Sequence, residues 1–306
     1  MNSDRVRYID IDVQSALNRV QSSQYPDMRW SLNPYRGCRH GCVYCYARYT
    51  HRFFELDPDQ AFATVVFVKR NLPEVLRREL RRSSWHREKV HIGTATDPYQ
   101  PVEGRYRITE AALRILRDQL TPVTLITKNT MALRDAELMK SLHRVAGFSL
   151  TISLITMDPI LARSLEPDVP SPAQRLRMVQ ALAHLGVPVS VGIAPIMPGL
   201  TDGEAQLQDL ITAIYDHGGV VSFYQIFRMY ADTRKTLFAY LQREHPQLLP
   251  WYQRVYGVDT DPSDAYQRRL HARIARIHAK IAPKRPKPPE PTARQGQLPL
   301  FVDDMF

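Results

Sequence analysis

Apolar residues follow two alternating patterns along the chain. Short apolar runs occupy positions 30–33, 90–95, 123–127, 148–156, 187–196 and 220–227. Between them, apolar residues recur three and four apart at 72–80, 111–120, 133–145, 176–185 and 207–215. The first pattern predicts buried strands and the second amphipathic helices. Six strands alternating with helices imply an α/β chain with a parallel sheet and right-handed crossovers, either an open doubly wound sheet or a full or partial barrel. In either architecture, function belongs at the C-terminal ends of the strands. Three of these ends carry polar or conformationally special residues: Gly93-Thr94-Ala95-Thr96-Asp97-Pro98, Thr127-Lys128-Asn129 and Ile193-Ala194-Pro195-Ile196-Met197-Pro198-Gly199.

Beyond the sixth run the pattern turns helical, at 234–244, 247–256 and 263–281. In the last of these, Leu270, Ile274, Ile277 and Ile281 form one apolar stripe, and Arg269, Arg273, Arg276 and Lys280 repeat its steps one residue earlier. A basic ridge beside a packed face is either a solvated surface or a track for a phosphate backbone. Arg77, Arg78, Arg81, Arg82 and Arg87 form a second basic cluster with the same two readings. Composition then breaks. Residues 283–296 include five prolines and no strongly apolar side chain, so a disordered basic tether is expected. The division that follows is an N-terminal extension (1–29), a strand–helix domain (30–228), C-terminal helices (229–282) and a linker with a tail peptide (283–306).

Length and composition add limits. The 306 residues are 44% hydrophobic and 24% charged, which excludes global disorder and fibrous repeats. Lys and Arg total 41 against 31 Asp and Glu, a net charge of +10, which favours an acidic partner such as nucleic acid. Neither a signal-peptide core nor an apolar run long enough to span a bilayer stands out, so a cytoplasmic protein with no membrane partner is expected.

The chain has 3 cysteines, and all lie in Cys38-Arg39-His40-Gly41-Cys42-Val43-Tyr44-Cys45. An odd number packed into one loop is no disulfide framework; it is a metal or redox signal. Thiolates at this spacing reach one centre and leave one coordination position free of protein. Zinc, with His40 or His51 as fourth ligand in a non-catalytic structural clip, is the alternative these residues leave open.

The C-x3-C-x2-C run, with aromatic Tyr44 before its third cysteine, resembles the signature of the radical S-adenosylmethionine (SAM) enzymes. That resemblance covers about 30–228 and implies a partial (β/α)6 barrel of the TIM type. It also implies a [4Fe-4S] cluster on Cys38, Cys42 and Cys45, SAM chelated to the fourth iron, an electron donor such as flavodoxin or ferredoxin, and a 5′-deoxyadenosyl radical as product. Asn33-Pro34-Tyr35-Arg36-Gly37-Cys38 and Thr96-Asp97-Pro98-Tyr99-Gln100-Pro101 are similar to the group related to spore photoproduct lyase, a DNA-repair enzyme. By that likeness Thr94, Thr96 and Asp97 would meet the amino group of SAM. Lys128, Ser153 and Arg175 would hold its carboxylate, and Gly192, Pro195 and Tyr44 would flank its adenine. One departure stands out: spore photoproduct lyase uses a further cysteine as hydrogen donor, and this chain has no fourth. Tyr46, Tyr99 and Tyr224 are the substitutes nearest the expected site.

Gln297, Leu298, Leu300 and Phe301 resemble the Q-L-x-L-F peptide by which bacterial proteins dock on the DNA sliding clamp. A radical enzyme acting on DNA, by a repair-like lyase reaction or a modification, is therefore the leading expectation. A radical enzyme modifying a peptide or small molecule is the alternative.

Overall fold

The computed structural model describes residues 6–21 and 27–281. Among them are ten strands: β1 (Arg7–Ile11), β2 (Leu17–Arg19), β3 (Trp30–Leu32), β4 (Tyr35–Arg36), β5 (Val65–Lys69), β6 (Val90–Ile92), β7 (Val123–Thr127), β8 (Phe148–Ser153), β9 (Val189–Ile196) and β10 (Val221–Ile226). The main sheet has the order β10-β9-β8-β7-β6-β3-β2. Its first six members pair in parallel, and β2 adds an antiparallel edge on β3. These six are the strands expected from the sequence. The parallel strands cross the sheet in chain order, without the reversal of a doubly wound sheet, and β10 and β2 stay at opposite edges, so the architecture is a partial β/α barrel.

Pleating sorts the residues. Leu125, Leu150, Ile152, Val191 and Ile193 share one buried core with residues of Ile108–Asp118, Ala136–Ala146, Pro172–His184 and Glu204–Asp216. The intervening positions carry small polar groups on the other face, where Thr124 Oγ1 meets His91 Nδ1 at 3.0 Å and Thr151 Oγ1 meets Ser190 Oγ at 3.2 Å. Helix starts follow local chemistry. Pro172–His184 begins four residues before the periodic pattern because Ser171 and Gln174 close a capping box and Pro172 supplies a preset φ.

Three features differ from the sequence reading. Val65–Lys69 forms β5, buried at all five positions, in a second sheet of order β1-β5-β4. A strand covered on both faces shows no alternation, so periodicity does not distinguish it. Residues set aside as an N-terminal extension belong to the fold: β1 pairs with β5 over Arg7↔Val65 to Ile11↔Lys69, and β2 pairs with β3. Finally, the family likeness implies an adenine-side loop at Gly192 to Pro195 after the fifth strand, but β9 continues to Ile196 and both residues lie within it.

The C-terminal helices Ala231–Glu244, Leu249–Tyr256 and Asp264–Ile281 appear where the pattern expects them. Leu237, Tyr240, Leu241, Tyr252 and Tyr256 pack in one core with Cys42, Val43 and Tyr44, so these helices wall in the cysteine loop. Two cations of the basic ridge have acidic neighbours. Arg273 donates to Asp202 O and lies 3.8 Å from its carboxylate, while Arg276 pairs with Glu204 at 3.3 Å, because their helix packs on Glu204–Asp216. Arg269, Arg276 and Lys280 are the exposed cations of the ridge, and Arg273 is half-buried. The clamp-like residues Gln297, Leu298, Leu300 and Phe301 lie outside the described residues, as does the proline-rich linker. No helix among the described residues is long and apolar enough to cross a membrane.

Candidate functional site

The loop after β3 carries the three cysteines, and every neighbouring strand end ties it down. Asn33 Nδ2 donates to Thr94 Oγ1 at 3.0 Å and Asn33 Oδ1 accepts from Ala95 N at 2.8 Å. Thr96 Oγ1 donates to Gly37 O at 2.6 Å. Gln100 Nε2 donates to the same carbonyl at 3.0 Å, while its Oε1 accepts from Arg39 N at 3.0 Å. Behind the loop, Lys69 Nζ donates to Asn33 O at 2.8 Å; burial pushes this ammonium down to about 8. Gly37 is obligatory. Its φ is +83°, and a Cβ there would sit 2.5 Å from Val65 O.

Asp97 is the hub of the mouth. Its Oδ1 accepts from Tyr99 N at 2.8 Å and from Thr127 Oγ1 at 2.7 Å; Oδ2 accepts from Lys128 N at 2.8 Å and faces His40 Nδ1 at 3.4 Å. Thr96 and Asp97 are thus committed to holding loops together. Thr94, whose carbonyl accepts from the Tyr46 hydroxyl, lies partly open beside them.

A second buried network stands across the mouth. Glu166 accepts from the Tyr44 hydroxyl through Oε1 and from Arg175 Nη2 at 2.6 Å through Oε2. Arg175 Nη1 donates to Ser153 O at 2.9 Å, and Ser153 Oγ donates to Ala194 O at 3.1 Å. Burial pushes the Glu166 carboxyl up, but Arg175 and Lys128 outweigh it and hold it below the usual range. Arg175, expected as a SAM-carboxylate ligand, is instead a fully buried partner of Glu166. Lys128 is different. Its ammonium lies 5.9 Å from the Tyr44 ring centroid, and no ion pair engages it among the described residues. Burial pushes it down, but charge on Cys42, Glu166 and Asp97 holds it above its ordinary value. It is the cation left available at the mouth.

Cys38 and Cys42 are buried and Cys45 is partly so, all as free thiols. Burial pushes all three up, Cys42 to about 12, while Lys128 opposes this at Cys42 and both Arg48 and Lys128 oppose it at Cys45. Charge on Cys42 and Cys45 also raises Cys38, which places the three sulfurs in one electrostatic unit. This all-sulfur donor set suits iron–sulfur ligation. Among the described residues no three His, Cys, Asp or Glu side chains close on one ion. Of the two histidines considered as a fourth zinc ligand, His40 has both ring nitrogens facing partners, Nε2 on Asn129 Nδ2 at 3.3 Å and Nδ1 on Asp97 at 3.4 Å, whereas His51 holds Val65 O through Nε2 at 2.9 Å and its Nδ1 has no partner.

The three candidate tyrosines separate. Tyr46 follows Cys45, is 42% exposed and packs against Tyr230 at 5.8 Å. Tyr99 is fully enclosed, with its hydroxyl on Asp135 at 2.9 Å. Tyr224 hydrogen-bonds His271 of the C-terminal helix at 2.8 Å, while the preceding Phe223 lies over Gly192 from the other face of β10. The pleat therefore turns Tyr224 toward the outer layer, and Tyr46 alone of the three opens at the mouth. Glu166, Gln100 and Asn33 are site residues that the sequence reading did not select. Gln100 and Asn33 stand inside its motifs, but nothing in the pattern signals Glu166.

Residues 32–211 match the family model of the Radical SAM superfamily. An uncharacterized protein of Mycobacterium tuberculosis, Rv2578c, is 37% identical over 295 residues, spanning 95% of this chain and 86% of that protein. Another from Methanocaldococcus jannaschii, MJ0683, is 26% identical over 204 residues, covering 67% and 73%. Spore photoproduct lyase complexed with dinucleoside spore photoproduct shares the fold, with a TM-score of 0.63 at 15% identity over 90% of this chain and 80% of that one. A mutant of that lyase with bound AdoMet and the dinucleoside superposes with a TM-score of 0.62 at 14% identity over the same shares. A three-cysteine loop at the mouth of a partial barrel, in a chain that matches the superfamily model over most of its strands, makes this protein a member of the radical SAM superfamily.

Proposed function

We propose that this protein is a radical SAM enzyme that abstracts hydrogen from a nucleic acid, most directly DNA, in a lyase or modification reaction. The observation that carries the reading is the three-cysteine loop facing the unpaired Lys128 ammonium at the C-terminal mouth of the barrel. When bound, a [4Fe-4S] cluster on Cys38, Cys42 and Cys45 and its SAM ligand supply one-electron reductive cleavage and a hydrogen-abstracting radical. The chain's own residues do the rest. Lys128 offers a charge-assisted contact to a carboxylate, and the partly open Thr94 offers a further polar group, while the buried Ser153 hydroxyl is taken by Ala194 O. The Glu166–Arg175 pair fixes Tyr44 against the loop. Tyr46 holds an O–H hydrogen atom at the mouth, where it can quench a product radical in place of the absent cysteine.

The fold shared with a lyase that binds a dinucleoside photoproduct and the net charge of +10 support the nucleic-acid substrate. Gln297 to Phe301 supports recruitment to a DNA sliding clamp through an extended peptide. A one-electron donor of the flavodoxin or ferredoxin class would supply the electron. The test is 5′-deoxyadenosine formation by reconstituted enzyme with ultraviolet-damaged DNA, intact DNA or RNA. Stimulation by one nucleic acid supports the reading, and equal yield with all three and with none overturns its substrate half. A synthetic peptide of residues 294–306 should bind the clamp and lose binding when Leu300 and Phe301 are both Ala.

A further inference from the structure

Arg48 is 3% exposed, and among the described residues no carboxylate pairs with it. Its Nη2 donates to Cys42 O at 3.0 Å and Gly41 O at 3.5 Å, and its Nη1 reaches Pro58 O at 3.4 Å and Asp59 O at 3.3 Å. Its carbon Cζ lies 5.5 Å from the centroid of Phe62, and its Nε has no partner. A buried guanidinium with only neutral acceptors is costly unless an anion stands nearby. The negative charge this region is built to acquire is that of Cys38, Cys42 and Cys45 once they are thiolates, and the hydrogen bond to Cys42 O fixes Arg48 against the loop that carries them. Lys128 stands at the mouth, 5.9 Å from the Tyr44 ring centroid, so two cations flank the cysteine loop, and Arg48 is the more deeply buried of them.

We propose that Arg48 is the resident countercharge of the three-cysteine site, a positioning residue that holds Cys42 through its carbonyl and favours the reduced state of the bound cluster. Reduction adds one electron and no proton, so the site becomes one charge more negative. A fixed cation in a low-dielectric setting stabilises that state, and removing it makes reduction harder.

This inference rests on the cluster assignment. The experiment is an anaerobic dithionite titration of the reconstituted full chain, without SAM, followed by electron paramagnetic resonance. In Arg48→Gln and Arg48→Met the reduction equilibrium should fall by about tenfold, or 59 mV for one electron. Arg48→Lys should stay within about threefold of the wild type, about half of that shift on the same scale. The metal-free neutral variants should melt within about 4 °C of the metal-free wild type, because without thiolates the charge has nothing to offset. Unchanged potentials in the neutral variants overturn the proposal. So does failure of both to fold without metal, which would make Arg48 a clamp of the apo fold. If the wild type takes up no iron, the cluster assignment itself fails, and the two failures are told apart by iron analysis.

Discussion

Replacing Glu166 with Ala isolates the buried network that fixes Tyr44. The carboxylate and the Arg175 guanidinium are 0% and 1% exposed and meet at 2.6 Å, and the Tyr44 hydroxyl completes the set. Removing one partner of such a pair leaves a buried charge without compensation, at a cost of about 3–5 kcal/mol. For a chain of this size that is a loss of about 6–20 °C in melting temperature. Removing both partners, as Glu166→Met with Arg175→Met, should recover most of the loss, since the uncompensated charge goes with them. The assay is urea unfolding of the metal-free protein followed by circular dichroism, with the double-mutant cycle giving the coupling. Acid behaviour supplies a second reading. The folded-state value of Glu166 lies below its ordinary value, so its contribution is present above that ordinary value and is lost as pH falls through the lower folded one. Glu166→Gln should therefore flatten the acid limb of the stability profile. If the single variants lose under about 1 kcal/mol, or the double variant is as unstable as their sum, the network is not a coupled buried pair and the argument for Tyr44 positioning falls.

Gly37→Ala should reduce folded yield and cluster content, because its Cβ would meet a backbone carbonyl at a positive φ; normal iron loading would show that the loop has another path. Lys128→Gln should weaken SAM binding by about 10- to 100-fold, the scale of a hydrogen bond to a charged group, as read by equilibrium dialysis against the reconstituted protein, with melting little changed. Arg269→Gln with Lys280→Gln should lower the salt slope of DNA binding by up to about two, whereas Arg273→Gln with Arg276→Gln should change it less because acids already pair those two. Equal slopes for the two pairs would show that the intramolecular bridges open on binding.

Sequence by itself determined the elements whose signal is local. The six parallel strands, the C-terminal helices and the stripe Leu270, Ile274 and Ile277 follow from periodicity, because burial of one face imposes it directly. The cysteine loop was equally legible, since ligand spacing is a property of consecutive residues. Long-range pairing decided the remainder. Val65–Lys69 is a strand because Arg7–Ile11 and Tyr35–Arg36 flank it, and no window of sequence contains that fact. Glu166 enters the site through Tyr44, 122 positions away, and takes Arg175 from the cofactor role expected of it. Tyr99 and Tyr224 are as near to the motifs as Tyr46, yet packing against Asp135 and the pleat of β10 remove them from the mouth. A residue's type and spacing state what chemistry it can do. Which partner satisfies it, and so which residue stays free to act, is set by contacts that exist only once the chain has folded.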